Sequence, residues 1–501
     1  MISAISVLST LIISSHHCNY ISLPSNGIMR LFTVECWLPA FLGLQVIAVN
    51  AQSSASPNCT TKTQFFTQLV DHNSTTNGTF QQQYQIIKPH FKPGGPIFYY
   101  QQAETATFAC LERTIYPEWA QEVGGMVISL EHRFFGLSDA SNATDPIEKY
   151  KSLTLENVML DAVTFVSHIK HTIPGAKDSK VIVSGGSYGG FLTTVLKMNY
   201  PEVFFGAVPY APPLRSIGAN YQNPRRYDWF NWVNQVYWDL SAAAATKMRD
   251  AFTLLAKRFQ NLGEVEDIAK DLNLCTVPKT AADLQLVMGV ITTNAELIPL
   301  LSYSSPDANP FGATPEKMVN ISLSAKDPID IVNATLTLRN PPNLVPCISW
   351  DSNESSEASL QKAPFNYLLC NYFPLSSNEI LEGNIYPPTS VQTESDPMTC
   401  ETLYKIVPPT QAEVEAKWHI STADLIQAPR IIFAYAENDP TTGVGIHPFP
   451  PSPDRNASRW MITSQAAHGE ESIASFSGDK PSVVHARRVQ LETIKEWLGL
   501  Y

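Results

Sequence analysis

Short apolar runs separated by glycine and proline dominate the first half of the chain. Gln64 to Val70 and Phe80 to Ile87 read as two strands around a polar turn, an opening hairpin. Gly94-Gly95-Pro96 then precedes Ile97 to Tyr100, and Gly124-Gly125 precedes Met126 to Leu130; both are short buried-strand patterns. Between Leu155 and Ile173 the apolar positions Val158, Leu160, Val163, Phe165 and Ile169 predict a helix. Val181 to Val183 is the next strand, Phe191 to Asn199 the next helix, and Phe205 to Val208 the strand after that. Strands alternating with helices over residues 95–212 predict βαβ units and a parallel sheet.

That rhythm stops near Pro212-Pro213. Up to about residue 424 the chain carries helical stretches, such as Ala242 to Leu262 and Ala281 to Met288, among proline-rich loops at Pro306 to Pro315, Pro341 to Pro346 and Pro387-Pro388. Alternation returns at Ile431 to Tyr435 and Trp460 to Ile462, and a closing helix is expected from Val483 to Leu498. The expected fold class is therefore α/β. A catalytic domain is expected over 52–212 and 425–501, interrupted by a mainly helical cap over 213–424.

A length of 501 residues suits two domains, or one core with a large insertion. With 44% apolar and 16% charged residues the chain is globular, and its 37 prolines match the many loops. The net charge of −12 and the absence of any basic run exclude a nucleic-acid binder, because an acidic surface repels phosphate backbones.

The amino terminus holds two apolar runs. The first, Ile2 to Ser15, lacks a basic flank; the second starts at Met29-Arg30 and ends in Val49-Asn50-Ala51, a small-x-small pattern suited to cleavage before Gln52. Residues 1–51 are thus expected to be a signal region, with 29–51 the signal peptide and Met29 the true start. Glu35 inside the run counts against an uncleaved membrane anchor. Sequons at Asn58, Asn73, Asn77, Asn142, Asn320, Asn333, Asn353 and Asn456 point the same way, to a secreted or vacuolar glycoprotein. Cleavage would remove Cys18 and Cys36 and leave Cys59, Cys110, Cys275, Cys347, Cys370 and Cys400, enough for up to three disulfides. Six cysteines allow 15 pairings and the spacing selects none. None of them has C-x-x-C spacing, so no metal is expected.

The chemistry centres on Gly185-Gly186-Ser187-Tyr188-Gly189-Gly190, set between the Val181 strand and the Phe191 helix. A serine on so sharp a strand-to-helix turn needs glycine two residues before and after it, so that backbone can pass closely. A serine hydroxyl also needs a histidine base oriented by a carboxylate, and after such an elbow the acid and then the histidine follow on loops behind late strands. Asp439, after the Ile431 strand, and His468, after the Trp460 strand, fit; Glu437 is the reserve acid. Asp424, Asp454, His447 and His485 are less well placed. The Tyr188 amide and a donor from residues 101–105 are expected to form the oxyanion hole.

Several segments together resemble the serine peptidases that include prolyl carboxypeptidase, dipeptidyl peptidase II and thymus-specific serine protease. They are Phe66-Thr-Gln68 with Asp71-His72, Phe80-x-Gln82-x-Tyr84, Gly94-Gly-Pro-Ile-Phe98, Glu131-His132-Arg133-Phe134-Phe135-Gly136, the serine elbow, Glu437-Asn-Asp-Pro440 and Ala467-His468. The resemblance spans most of the chain from Phe66 onward. It implies an α/β-hydrolase core with a helical cap, cleavage beside proline, and Ser187, Asp439 and His468 as nucleophile, acid and base. Two segments depart from the family: Gln102-Ala103-Glu104-Thr105 replaces Gly-Asn-Glu-Gly, and Thr441 stands where tryptophan follows Asp-Pro.

The function expected is a secreted, vacuolar or lysosomal serine exopeptidase acting after proline, without a cofactor. A lipase or carboxylesterase of the same fold, or a silent binding glycoprotein, is the alternative. Glu104 could hold a substrate amine, and Arg225 or Arg226 a carboxylate. Glu131-His132-Arg133 is expected to be a buried cluster supporting the elbow, with Asp161 and Trp229 as core or surface residues. Peptides are the expected partners; no stable membrane insertion is expected after signal cleavage, and a homodimer stays open.

Overall fold

A computed structural model describes residues 60–105, 108–218, 227–350, 356–373, 379–388 and 397–500. β1 (Gln64–Asp71) and β2 (Ser74–Ile87) form the opening hairpin, with Asp71 opposite Ser74. The turn is shorter than expected. Only His72 and Asn73 lie outside the strands, because Thr75, Thr76 and Thr79 suit an extended ladder and Asp71 closes the turn by accepting from Asn73 N at 2.9 Å.

The remaining strands are β3 (Ile97–Gln101), β4 (Met126–Leu130), β5 (Val181–Gly186), β6 (Phe204–Tyr210), β7 (Ile432–Ala436) and β8 (Arg459–Thr463). They form one eight-stranded sheet in the order β1-β2-β4-β3-β5-β6-β7-β8. β2 pairs antiparallel with β1 and β4, and every pair from β4 onward is parallel. This is an α/β-hydrolase core. β4 and β7 are buried throughout, as strands covered on both faces must be.

Helices α1 (Tyr116–Val123), α2 (Pro146–Tyr150), α3 (Leu155–Thr172) and α4 (Tyr188–Asn199) fall between the early strands. Alternate residues along a strand face opposite layers. Tyr99 packs with Phe165 of α3 and Phe191 of α4 in one cluster, whereas Phe98 packs with Trp119 of α1 in the other. Trp497 of the closing helix α15 (Pro481–Leu498) joins the second layer.

Between β6 and β7 lie α5 (Asp228–Leu240), α6 (Ala242–Phe259), α7 (Val265–Asp271), α8 (Ala281–Leu300), α9 (Pro315–Ser324), α10 (Pro328–Thr337), α11 (Ser356–Tyr372), α12 (Pro397–Tyr404), α13 (Gln411–Trp418) and α14 (Thr422–Gln427). They do not pack as one body. Helices α5 to α10 share a cluster built on Phe230, Phe252, Ile291 and Ile331. Leu368 and Tyr372 of α11, Trp418 of α13 and Leu425 of α14 instead join the cluster of α3 and α4. The Tyr372 hydroxyl accepts from Leu155 N at 2.9 Å, and Asn199 Nδ2 donates to the Trp418 carbonyl at 3.0 Å.

Disulfides join Cys275 to Cys347 and Cys370 to Cys400. No helix among the described residues is long and apolar enough to cross a membrane. The signal region, Cys59, Asn58, Asn353, Arg225 and Arg226 lie outside the described residues. Asn73, Asn77, Asn142, Asn320 and Asn456 are exposed, whereas Asn333 is half-buried and its amide donates to the Asp271 carbonyl at 2.8 Å.

Candidate active site

The site lies at the carboxyl ends of parallel strands β5, β7 and β8, where loops can converge above a rigid sheet. Ser187 directly follows β5 and opens α4 with φ 57° and ψ −123°. A non-glycine residue held there costs about 1–3 kcal/mol, so its neighbours must fix it. Ser187 N donates to the Tyr210 carbonyl at 2.9 Å, and the Ser187 carbonyl accepts from Phe191 N at 3.0 Å. The flanking turn admits only glycine. A methyl group on Gly185 would sit 2.6 Å from the Gly189 carbonyl oxygen, and one on Gly189 would sit 3.0 Å from the Gln101 carbonyl oxygen.

A serine at a helix amino terminus ordinarily caps the helix with its hydroxyl. The Ser187 hydroxyl makes no capping bond, and the residue is only half-buried. It is therefore free to meet a ligand. Tyr188 occupies the first position of α4, where an amide hydrogen has no intrahelical partner.

Asp439 follows β7 and is fully buried. Its Oδ2 lies 2.7 Å from His468 Nδ1, and its Oδ1 accepts from Thr441 N at 2.9 Å. With Nδ1 carrying the hydrogen toward Asp439, Nε2 is left as the acceptor. Thr441 Oγ1 lies 3.4 Å from the same Nδ1. Burial opposes protonation of His468, but the charge and hydrogen bond of Asp439, aided by Glu104 and Glu471, outweigh it and hold the imidazole above its ordinary pKa. The carboxylate of Glu437 is engaged away from His468. Its Oε2 accepts from Ser464 Oγ and Gln465 N, each at 2.7 Å.

Tyr210 links the serine to the histidine loop: its carbonyl holds Ser187 N, and its Cβ lies 3.5 Å from where a side chain on Gly469 would begin. The other candidates have other partners. Asp424 accepts from Ser421 Oγ at 2.6 Å, Asp454 from Asn456 N at 2.9 Å, and His485 Nδ1 lies 3.2 Å from Arg488 Nη2. His447 Nδ1 lies 3.5 Å from Arg215 Nη1.

The loop after β3 packs under the elbow. The Ala103 amide nitrogen lies 3.7 Å from where a Gly189 side chain would begin, while Thr105 N is taken by the Ala103 carbonyl at 2.9 Å. The Glu104 Oε2 is buried without a hydrogen-bond partner. Desolvation raises the Glu104 pKa, partly offset by its own backbone amide and by His468.

Behind the elbow, His132 Nδ1 faces the Arg133 carbonyl at 2.8 Å, which makes it the donor, so Nε2 accepts from the Tyr188 hydroxyl at 3.1 Å. Burial lowers the His132 pKa to about 4 and keeps the ring neutral. Arg133 is fully buried and bidentate on Asp161, at 2.7 and 2.6 Å, and His72 Nε2 reaches the same carboxylate at 2.8 Å. Buried charge is thus paired, as it must be to persist.

Trp232, Leu300, Ser302 and Tyr303, without any sequence signal of their own, complete the surroundings. His468 N donates to the Leu300 carbonyl at 2.9 Å, and the Tyr303 hydroxyl donates to the His468 carbonyl at 2.8 Å. Asn438 Nδ2 donates to Ser302 Oγ at 3.1 Å, and Trp232 Nε1 to the Glu437 carbonyl at 2.9 Å. The helical insertion is therefore bonded directly to both loops that carry Asp439 and His468.

The sequence profile of serine carboxypeptidase S28 matches residues 68–359. The lysosomal Pro-X carboxypeptidase of Homo sapiens is 25% identical over 455 residues, covering 87% of this chain and 88% of that protein. A probable extracellular serine carboxypeptidase of Arthroderma benhamiae is 30% identical over 157 residues, 28% of this chain and 21% of that one. Among solved structures, the 2-hydroxy-6-oxo-6-phenylhexa-2,4-dienoate hydrolase of Rhodococcus sp. strain RHA1 aligns with 86% of this chain and 99% of its own, at 10% identity and a TM-score of 0.36.

Proposed function

Since the chain belongs to the serine carboxypeptidase S28 family and is a serine-type peptidase, we propose that it cleaves peptides after proline through an acyl-enzyme on Ser187. The observation that carries this reading is the 2.7 Å bond from His468 Nδ1 to the buried Asp439, which leaves Nε2 available as a base.

In the proposed reaction His468 Nε2 takes the Ser187 proton as Oγ bonds to the scissile carbonyl carbon. The negative charge that forms on the carbonyl oxygen is met by the Tyr188 amide, with the Ala103 amide as the second donor. His468 then returns the proton to the leaving amine as the C–N bond breaks. Water repeats the sequence in reverse, releasing the acid and restoring Ser187.

Preference for proline is inferred from the relatives named for Pro-X cleavage, which align across most of this chain. Exopeptidase action follows from the helical insertion, proposed as a cap, whose Leu300 and Tyr303 crowd the His468 loop and limit the length of chain that can enter. A secreted, vacuolar or lysosomal location is supported by the exposed sequons and by relatives named lysosomal and extracellular.

A fluorophosphonate probe tests the nucleophile: labelling of the glycosylated protein, abolished in Ser187→Ala, is expected. Offering an amino-blocked peptide ending in Pro-X beside a free-amine X-Pro substrate then separates carboxypeptidase from dipeptidyl-peptidase action. No labelling would overturn the proposal, and turnover of simple esters alone would replace it with an esterase.

A further inference from the structure

The insertion that closes over His468 carries a cation for which the hydrolytic steps have no use. Arg339 lies two residues beyond the end of α10 and is half-buried. Among the described residues it makes no hydrogen bond or ion pair. Arginine is rarely buried without a partner, because desolvating the charge costs free energy that only an anion or several acceptors offset. The buried arginines among the described residues obey that rule: Arg133 is held by Asp161, and Arg487 by Asp479.

The place of Arg339 is fixed by its neighbour. Asn340 Nδ2 donates to Asn294 Oδ1 on α8 at 2.9 Å, and α8 continues to Leu300, whose carbonyl accepts from His468 N. Tyr303, bonded to the His468 carbonyl, lies within electrostatic reach of both Asp439 and Arg339. Burial lowers the pKa of Arg339, with only Tyr303 opposing that shift. Arg339 thus belongs to the part of the insertion that is bonded to the His468 loop. Glu104, on the loop after β3, acts on His468 electrostatically and has an unpartnered carboxylate oxygen that would repel an anion placed beside it.

We propose that Arg339 binds the free α-carboxylate of the substrate's C-terminal residue and so makes the enzyme a carboxypeptidase. This rests on the acyl-enzyme reading of Ser187 given above. A peptide offers one anion at a fixed distance from its last peptide bond whatever its sequence, and that anion is its terminal carboxylate. The planar guanidinium fork matches both oxygens of such a group, which an ammonium cannot do.

The test compares kcat/KM for an amino-blocked peptide ending in Pro-Phe with a free carboxylate against the same peptide as its C-terminal amide. Wild type should favour the acid; Arg339→Gln should lose about 10- to 100-fold on the acid and little on the amide, the loss expected for one charged hydrogen-bonded contact. Arg339→Lys should recover only part, having lost the fork. Equal fluorophosphonate labelling of wild type and both variants shows that fold and nucleophile are intact, since the probe has no carboxylate. An acid-to-amide ratio unchanged in labelled Arg339→Gln overturns the assignment while leaving the acyl-enzyme reading standing. So does a loss confined to peptides with an acidic side chain after the proline. Absence of labelling in wild type removes the acyl-enzyme reading and the assignment together.

Discussion

Tyr303 reaches out of the helical insertion and donates its hydroxyl hydrogen to the main-chain carbonyl of His468 at 2.8 Å, while the histidine's own amide is held by Leu300. Both backbone groups of the proposed base are therefore anchored by the insertion rather than by the sheet beneath it. In the proposed reaction the insertion would therefore act through the position of His468.

Tyr303→Phe removes one of those anchors and leaves the ring in place. A hydrogen bond of this kind contributes about 0.5–1.5 kcal/mol. Peptide kcat/KM is expected to fall about 2- to 10-fold with the fold intact, and near-ultraviolet circular dichroism recorded beside the kinetics separates the two. An unchanged rate would mean that Leu300 alone fixes the loop.

Asp439→Asn keeps the shape of the side chain but reverses the hydrogen-bond logic at Nδ1, so the imidazole is no longer held with Nε2 free. A loss of about 10³- to 10⁴-fold in kcat is expected, with little change in KM. The variant Glu437→Gln should stay close to wild type, because Glu437 is engaged by Ser464 and Gln465 and not by the histidine. If Glu437→Gln were the more damaging of the two, the assignment of the acid would be wrong.

The sheet was legible because its strands announce themselves: the Ile97, Met126, Val181 and Ile431 runs are apolar on both faces, and glycine or proline precedes three of them closely. Gly185 and Gly189 made the elbow readable for the same reason, since only glycine fits against Gln101 and its neighbours. The hairpin turn misled because Thr75 to Thr79 is polar, and polarity says nothing about pairing once Phe80 is in register with Gln68. Tyr303 and Arg339 left no trace in the sequence. Their positions depend on how α8 and α10 pack over a loop more than a hundred residues away, and no local spacing encodes that.

His132 supports Tyr188 through a neutral ring, and Tyr188 supplies the proposed oxyanion amide. His132→Phe preserves bulk but strands the tyrosine hydroxyl in an apolar setting. The expected result is a kcat lowered about 10-fold, KM nearly unchanged, and weaker binding of a boronate transition-state analogue. An equal loss in substrate and analogue binding would show a general disturbance of the pocket instead.

The acid limb of the rate should report His468. Its pKa is raised above the ordinary 6.5, and the base works only when neutral, so kcat/KM is expected to climb as pH rises through a midpoint above that value. Glu104 contributes to the upward shift through its charge. Glu104→Gln should therefore move the limb toward acid, opposite to what loss of a purely structural residue would do. A limb that does not move would place Glu104 outside electrostatic reach of the base.

Stability is expected to run the other way with pH. Burial raises the pKa of Glu296 to about 8, the hydrogen bond from the Trp229 indole only partly offsetting it, and burial likewise raises Glu131 and Glu471 to about 7. Each carboxyl is neutral in the fold where it would already be ionised in the unfolded chain. The contribution to stability is full below the ordinary value of 4.5 and is lost as pH climbs through 7 to 8, because the unfolded state then releases protons that the native state retains. The thermal midpoint should accordingly be higher at pH 5 than at pH 8, which suits an acidic compartment even though the base favours a higher pH. Glu296→Gln keeps an acceptor for the Trp229 indole and removes the titration. The variant should unfold at a temperature that varies less between pH 5 and pH 8 than that of wild type, with the gain concentrated at the alkaline end. An identical slope in both proteins would show that Glu296 ionises in the fold as freely as in water.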